Sequence, residues 1–211
     1  MERDRGLIHA SPHWVLGRHH RALFDGFRNQ HQSLVDYLRR FALRHGEKDL
    51  LARTYLAIDD ETGENRLAGY FTLATASVER SAVSAMESLD RLPGFPIPAV
   101  LLARLAVDQR AQGQGLGRYL LEQALGLTLQ LARSGPVAFR LFVTDAIDEA
   151  AAGFYERFGF SRIGDTFPCR MVLDIRPLLG SEAREVRQGA RAGFNDEKAR
   201  FFTRGSSRRR R

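Results

Sequence analysis

Three glycines at alternate positions, 113, 115 and 117, form the pattern in this sequence most suited to chemistry. They follow an apolar, strand-like run that stops at Asp108, and they open a helical stripe that begins at Leu116. A strand, a glycine turn and a helix in this order point several main-chain N–H groups and the positive end of the helix dipole at one spot. The loop is therefore predicted to bind an anion, usually a phosphate.

The spacing of the glycines separates three kinds of phosphate-binding loop. A Walker loop needs Gly-Lys-Ser/Thr, but Gly117 is followed by Arg118 and Tyr119. The dinucleotide fingerprint would need glycine at position 118 or 120, where the chain has arginine and leucine. The remaining pattern is Gln-x-x-Gly-x-Gly, formed by Gln112, Gly115 and Gly117.

This pattern, directly after a strand ending in Ala-Val-Asp, resembles the acetyl-coenzyme A pyrophosphate loop of the GNAT acetyltransferases. A second stretch, DAIDEAAAGFYERFGF at 145–160, is similar to the family's helix with an aromatic pair, here Phe154-Tyr155, ending in Gly-Phe. The resemblance implies an α/β (α+β) fold of GNAT type. In that fold a mixed, mostly antiparallel sheet carries helices on both faces, and its strands splay apart at the acetyl-CoA site.

The resemblance also implies acetyl transfer from acetyl-CoA to an amine, with no metal. Loop amides would hold the pyrophosphate, and the open edge of the preceding strand would pair with the pantetheine arm. The residues implied for the cofactor are Leu105, Ala106, Val107, Gln112, Gly113, Gln114, Gly115, Leu116, Gly117 and Arg118. Tyr155 is the expected catalytic residue, because a phenol with a pKa of about 10 is protonated at neutral pH and can protonate the departing sulfur. The alternative is that Tyr155 is only a packed aromatic residue beside Phe154 and Phe158.

Residues 27–60, residues 97–121 and the Tyr155 helix look like the toxin half of GNAT toxin-antitoxin pairs. Toxins of this branch acetylate the α-amino group of aminoacyl-tRNA and so inhibit translation, and a ribbon-helix-helix-type antitoxin neutralises them. The resemblance implies this substrate and this partner, and it leaves a homodimer open. The chain departs from the branch at Asn29-Gln30, where Cys-Gly or Ser-Gly is usual.

A tRNA substrate requires cations near the cleft, since phosphate contacts supply much of the affinity. Arg104, beside the cofactor strand, is the first candidate. The further candidates are Arg66, Arg91 and Arg140. The alternative for each of these arginines is an ordinary solvated surface charge.

Hydrophobic periodicity predicts the elements that position these residues. The prediction is a helix at 35–43, a hairpin of strands 52–58 and 66–74, a rigid proline loop at 92–99, and then strand 100–107, helix 116–132, strand 137–143 and a last strand at 170–175. Asp145 is expected to cap the helix of the second motif. Its predicted buried stripe is Ile147, Ala150, Ala151, Phe154 and Phe158.

Charge divides the 211-residue chain unevenly. Residues 181–211 hold ten Lys and Arg against four Asp and Glu, so this segment carries +6 of the net charge of +7. We therefore predict an acetyltransferase domain at 1–180 and a basic, flexible tail at 181–211. The tail is either a solvated end or a contact for nucleic-acid phosphates.

Composition also limits the location and class of the protein. A single cysteine, Cys169, excludes an intrachain disulfide and favours a reducing cytoplasm, and no apolar run reaches the ~18 residues of a membrane span. All six histidines precede residue 46 without metal-binding spacing. Two other functions stay open: a GNAT enzyme for a protein N-terminus or a small amine, and a non-catalytic module that binds nucleic acid.

Overall fold

The computed structural model describes residues 14–59 and 65–180. One seven-stranded sheet has the order β1-β2-β3-β4-β5-β7-β6. The strands are β1 Trp14–Val15, β2 Ala52–Asp59, β3 Arg66–Val78, β4 Ile97–Val107, β5 Leu141–Ala146, β6 Ser161–Ile163 and β7 Cys169–Asp174. Only β4 and β5 pair in parallel, which confirms the predicted mixed, mostly antiparallel sheet.

Helices pack on both faces of the sheet, as predicted. They are α1 Gln32–Arg40, α2 Ala42–Glu47, α3 Leu116–Ser134 and α4 Glu149–Glu156, with short 3-10 helices at Arg18–Phe24, Arg80–Val83, Glu87–Leu89 and Gln109–Ala111. Tyr70 of β3 packs in one buried cluster with Val35 and Leu38 of α1. Its neighbour Gly69 points to the opposite face, where an added Cβ would lie 2.8 Å from the Leu120 side chain of α3.

Three predicted elements change because of contacts that periodicity does not record. The helix predicted at 35–43 is two helices that meet at Phe41. The proline-rich loop was predicted to run through residue 99, and this is wrong, because β4 begins at Ile97. The Pro98 carbonyl accepts the Arg140 N–H at 2.9 Å, so the main-chain groups of Pro98 face the β5 side of β4. Proline is tolerated there because β5 has not yet begun, and the missing N–H has no ladder partner to lose. The strand predicted at 137–143 starts later, at Leu141.

The helix of the second motif starts three residues later than predicted. Its N-cap is Asp148, whose carboxylate accepts the Ala151 N–H at 2.8 Å. The predicted cap, Asp145, belongs to β5 instead and pairs with Arg170 at 2.5 Å. The later start leaves Ile147 outside the helix and largely exposed. The buried residues of α4 are Ala152 and Tyr155, so the predicted stripe is wrong.

The chain divides into two units after Ile175. In the second unit the structure describes residues 176–180, which are helical. The predicted tail at 181–211 and the centre of the predicted hairpin turn at 60–64 lie outside the described residues. The domain boundary at residue 180 therefore stays a prediction.

Candidate active site

Strands β4 and β5 run together for four residue pairs and then diverge. Their last pair is Leu102 with Thr144. Beyond it β5 continues against β7, while β4 continues against β3 as far as Val107. The β3–β4 register shifts at the same point and leaves Ala103 as an extra residue on β4, which is a β-bulge. The predicted splay is therefore a wedge that opens after Leu102.

The edge of β4 that faces this wedge carries the main-chain groups of Leu105 and Val107. The Asp108 N–H donates to the Ala68 carbonyl at 2.8 Å, which is a ladder bond to β3. Because successive residues of an antiparallel strand alternate in direction, Ala106 and Asp108 face β3, whereas Leu105 and Val107 face the wedge. Of the three predicted strand residues, Leu105 and Val107 can offer hydrogen bonds to a ligand, and Ala106 belongs to the ladder.

The glycine loop leaves the start of α3 open. Gly113 and Gly115 have φ of 75° and 83°, a conformation that favours glycine, and an added Cβ at either would contact nothing within 4 Å. Gly115 is the N-cap of α3 and has no side chain to occupy the first N–H groups. Those N–H groups belong to Leu116, Gly117 and Arg118, which have no preceding helical carbonyl to bind. An anion can therefore approach them directly.

Polar side chains around the loop bind main-chain groups or one another. The Gln112 amide donates to the Val107 carbonyl at 3.4 Å, and the Gln114 amide donates to the Arg110 carbonyl at 3.2 Å. Arg118 pairs with Glu122 one turn along α3 at 2.8 Å. The two glutamine side chains thus brace the loop, while its main chain remains available to a ligand.

Asp108 anchors the base of the loop. Its buried carboxylate accepts the main-chain N–H groups of Arg28 at 2.8 Å and Arg110 at 3.0 Å, and it pairs with the Arg110 guanidinium at 2.7 Å. Burial acts to raise the pKa of this carboxyl. The hydrogen bonds from Arg110 and Arg28 outweigh burial and hold the pKa below its usual value. The charged form therefore fixes the point where β4 becomes the loop.

Tyr155 lies at the wedge, on the buried side of α4. Its side chain is only 7% exposed and packs against Phe154 and Phe160. The Thr144 hydroxyl is within hydrogen-bonding reach of the phenol and donates to the Leu102 carbonyl at 2.9 Å. Burial raises the pKa of Tyr155; Thr144 opposes this effect, and the charge of Asp145 adds to it. The phenol is thus held protonated beside the last β4–β5 pair.

The sequence also matches the GNAT acetyltransferase domain over residues 51–162. That stretch contains β4, the glycine loop, α3 and α4, which are the elements that build the wedge. The chain belongs to the GNAT acetyltransferase family. The predicted resemblance is therefore confirmed, and the protein is an N-acetyltransferase.

Known toxins are among the relatives of this acetyltransferase. The tRNA-acetylating toxin of Mycobacterium tuberculosis (strain ATCC 25618 / H37Rv) is 35% identical over 157 residues, 73% of this chain and 89% of the toxin. A tyrosine-to-phenylalanine mutant of KacT matches with a TM-score of 0.66 and 25% identity, over 77% of this chain and 91% of KacT. Structures of AtaT also match, and two of them bear on the site. One, AtaTR bound with acetyl-CoA, has a TM-score of 0.60 and 26% identity over 72% of this chain and 86% of the matched chain. The other, a mutant toxin bound to the C-terminus of the antitoxin AtaR, has a TM-score of 0.58 and 25% identity over 72% of this chain and 85% of the matched chain.

The four arginines proposed for tRNA lie in different parts of this acetyltransferase. Arg104 is exposed beside the bulge, and its guanidinium lies 5.1 Å from the centre of the Tyr37 ring of α1. Arg66 begins β3 and pairs with Asp59 at 2.6 Å. Arg91 is exposed in the segment that precedes β4.

Arg140 lies at the start of β5, at the end of the β4–β5 pairing away from the wedge. Its guanidinium pairs with Asp174 at 2.6 Å and donates to the Ser88 carbonyl at 3.1 Å. Only Arg104 of the four is therefore brought to the wedge. Contacts of the others with tRNA stay predictions.

A groove of about 750 Å³ opens elsewhere on the acetyltransferase, along the C-terminal half of α3. Its apolar lining comes from the segment after α2, from the sheet and from α3, and includes Leu50, Leu51, Tyr55, Val100 and Leu131. None of the residues predicted to bind cofactor or substrate lines this groove. The wedge, and not this groove, is the candidate active site.

Three residues of the site were not predicted: Thr144, Tyr37 and Asn29. Thr144 and Tyr37 are adjacent to Tyr155 and Arg104 only after folding, so no local pattern could indicate them. Asn29 was visible as a departure from the toxin branch, and its side chain donates to the Val107 carbonyl at 2.9 Å. Within residues 14–59 and 65–180, no cluster of metal-ligand side chains is present. The helices of the same residues are too short or too polar to cross a membrane.

Proposed function

We propose that this acetyltransferase uses acetyl-CoA to acetylate the α-amino group of aminoacyl-tRNA and so inhibits translation, as a toxin. One observation carries the proposal: Tyr155 is buried at the wedge between β4 and β5, and the strand that forms one side of this wedge runs into the open glycine loop. The 35% identity to a tRNA-acetylating toxin over most of the chain supports the choice of substrate.

The residues present fit acetyl-CoA as the donor. Loop N–H groups from Gln112 to Arg118 would hold the pyrophosphate, and the glycines leave the main chain accessible to it. The outward groups of Leu105 and Val107 would pair with the amides of the pantetheine arm, as an open strand edge binds an extended peptide. Bound acetyl-CoA would supply the acetyl group as an activated thioester.

Tyr155 would act when the carbon–sulfur bond breaks. The new bond joins the amine nitrogen to the acetyl carbon, the amine loses a proton, and the sulfur gains one. The phenol is suited to donate this proton, because burial raises its pKa and keeps it protonated at neutral pH. Solvent then restores the proton on Tyr155. No side chain is assigned as a general base, since an α-amino group with a pKa near 8 is partly unprotonated already.

The amine would enter from the α1 face of the sheet. Leu102 and Val107 face α3 and α4, whereas Arg104 lies over Tyr37 of α1 on the opposite face. A wedge open to both faces lets the donor and the acceptor approach from opposite sides. Arg104 is then placed to meet a phosphate or a base at the acceptor end of the tRNA.

The partners follow from the same proposal. AtaT binds the C-terminus of its antitoxin AtaR, and we expect this chain to be neutralised by an antitoxin of ribbon-helix-helix type. We expect it to act in the cytoplasm, where charged tRNA is found. A homodimer and a role for the basic tail in binding tRNA stay predictions.

The decisive experiment incubates the protein with labelled acetyl-CoA and either aminoacyl-tRNA or peptides. Label is expected on the α-amino group of the charged tRNA, and uncharged tRNA is the control. Label in the peptides alone would favour the alternative enzyme, which modifies a protein N-terminus or a small amine. No transfer to any amine, together with tRNA binding that is lost on deleting residues 181–211, would favour a non-catalytic module.

A further inference from the structure

Asn29 connects the turn before α1 to the end of the cofactor strand. Its Nδ2 donates to the Val107 carbonyl at 2.9 Å, and its Oδ1 accepts the N–H of His31 at 2.9 Å. Both ends of the carboxamide are therefore engaged. The side chain cannot be turned over without losing one of these bonds, because one end must donate and the other must accept.

The Val107 carbonyl is the last outward acceptor of β4 before the loop. Asp108, the next residue, is fixed by the ladder bond from its N–H to the Ala68 carbonyl. Gln109 follows, and its N–H donates to the Arg28 carbonyl. Arg28 also donates its own N–H to the Asp108 carboxylate. The turn that carries Asn29 is thus attached to the strand end at Val107 and at the two residues that follow it.

An open strand edge can pair with an extended ligand in more than one register. Successive outward residues, here Leu105 and Val107, present the same N–H and C=O groups two residues apart. A pantetheine arm carries amides of its own, so it could slip toward the loop by this distance. A donor already placed on the Val107 carbonyl removes the acceptor that such a slipped register would use.

We propose that Asn29 is a positioning residue for acetyl-CoA, which closes the open edge of β4 at the Val107 carbonyl. The pantetheine arm then pairs with the Leu105 main chain and the Val107 N–H, the register nearest Tyr155. The inference rests on the proposed function, since the ligand is acetyl-CoA. The binding of the pantetheine arm, and not that of the nucleotide, is then expected to depend on Asn29.

The sharpest variant is Asn29→Asp, which has nearly the same shape. It keeps an oxygen for the His31 N–H but replaces the donor to Val107 with a second oxygen, so two acceptors face each other. Gln30→Glu is the matched control, because it makes the same change from amide to acid one residue along, at an exposed side chain. Asn29→Ser is the rescue variant, because serine keeps a donor at this position.

Isothermal titration calorimetry would measure the binding of two ligands: acetyl-CoA, and its nucleotide half, adenosine 3′-phosphate 5′-diphosphate. Asn29→Asp should weaken acetyl-CoA about tenfold, because two oxygens then face each other and only the longer bond from Gln112, at 3.4 Å, is left on the Val107 carbonyl. The nucleotide half should bind within about twofold of wild type. Gln30→Glu should leave both affinities near wild type, and Asn29→Ser should bind acetyl-CoA more tightly than Asn29→Asp.

The possible failures are distinguishable. If wild type and Asn29→Asp bind acetyl-CoA equally well, the role of Asn29 is overturned and the proposed function is not affected. Equal weakening of both ligands would also overturn it, because Asn29 would then act through the loop. Wild type that binds neither ligand would refute the proposed function and this inference with it. Thermal unfolding shows whether Asn29→Asp is folded. If it is not, Asn29→Ser decides, because the shorter serine side chain reaches the Val107 carbonyl less well: acetyl-CoA binding weakened about threefold, with the nucleotide half unchanged, supports the role. Unchanged acetyl-CoA binding, or equal weakening of both ligands, overturns it.

Discussion

The two halves of β4 differ in what surrounds them. The closed half, Ile97–Leu102, pairs with β3 on one edge and is flanked by β5 on the other. The open half, residues 103–107, pairs with β3 alone, and its other edge faces the wedge. One continuous strand is therefore paired on both edges over its first half and on one edge only over its second. The change occurs within one residue, at the Ala103 bulge.

The arginines beside the two halves show the same contrast. Arg140, at the closed half, is held in a bidentate pair with Asp174, and both side chains are mostly buried. Arg104, in the open half, is exposed and stacks over Tyr37. An arginine is thus held in a buried ion pair at one end of the strand and is exposed at the other.

The largest expected effect comes from removing the proton donor at the wedge. Tyr155→Phe should lower kcat by ~10² or more, because the departing sulfur loses its acid, while the KM for acetyl-CoA changes little. Steady-state kinetics with charged tRNA would measure both constants. Phe154→Leu, on the neighbouring aromatic residue, is the control for packing. A Tyr155→Phe enzyme with wild-type kcat would remove this residue from the mechanism.

The next test replaces each of the two arginines, Arg140 and Arg104, with alanine. Arg140→Ala should lower the free energy of unfolding by about 3 kcal/mol, because it removes the bidentate ion pair that Arg140 makes with the mostly buried Asp174. Arg104→Ala should change stability by less than about 0.5 kcal/mol but raise the KM for charged tRNA about fivefold. Urea denaturation and tRNA titrations separate the two effects. If both variants raised that KM equally, the distinction between the two halves would not hold.

Local patterns predicted the parts of the site that depend on one stretch of chain. Gly113 and Gly115 adopt positive φ, which favours glycine strongly enough to mark the loop from sequence alone. The order of strand, loop and helix then placed the start of α3 at Leu116, as observed. The family resemblance named Leu105, Ala106 and Val107 together. It could not separate Ala106 from the other two, because the direction of each residue depends on how β3 pairs with β4.

Other features depend on partners distant in sequence. The split between β4 and β5 is set by pairings across about forty residues, so Thr144 had no local signature. Arg140 looked like a surface cation because Asp174, 34 residues away, could not be paired with it in advance. The α4 stripe was wrong for a smaller reason. Asp145 and Asp148 are equally good caps in sequence, and choosing the first rotated the expected buried face away from Tyr155.

A smaller effect is expected where the closed half ends. Thr144→Val keeps the shape of the side chain but removes the hydroxyl between the Leu102 carbonyl and the Tyr155 phenol. We expect kcat to fall about fivefold, with the KM for acetyl-CoA nearly unchanged, because the proton donor is less well held. Thr144→Ser should restore most of the rate. The decisive measurement is the double variant: Thr144→Val should have no further effect on kcat in a Tyr155→Phe background.

The smallest effect concerns Asp108, the residue that follows the open half of β4. It is expected as a change of stability with pH. Its pKa is held below the usual value of about 4, since hydrogen bonds from Arg110 and Arg28 outweigh the effect of burial. A carboxyl of this kind adds stability at pH values above its unfolded pKa, and that stability is lost as the pH falls through its lower, folded pKa. Asp108→Asn should therefore be less stable than wild type by about 1 kcal/mol at pH 7, and the difference should shrink near pH 3. Urea denaturation at the two pH values measures this, with Asp36→Asn, at a half-buried position of α1, as the control. A difference that stays constant with pH would mean that the carboxylate charge does not fix the strand end, and that Asp108 acts there only through its shape.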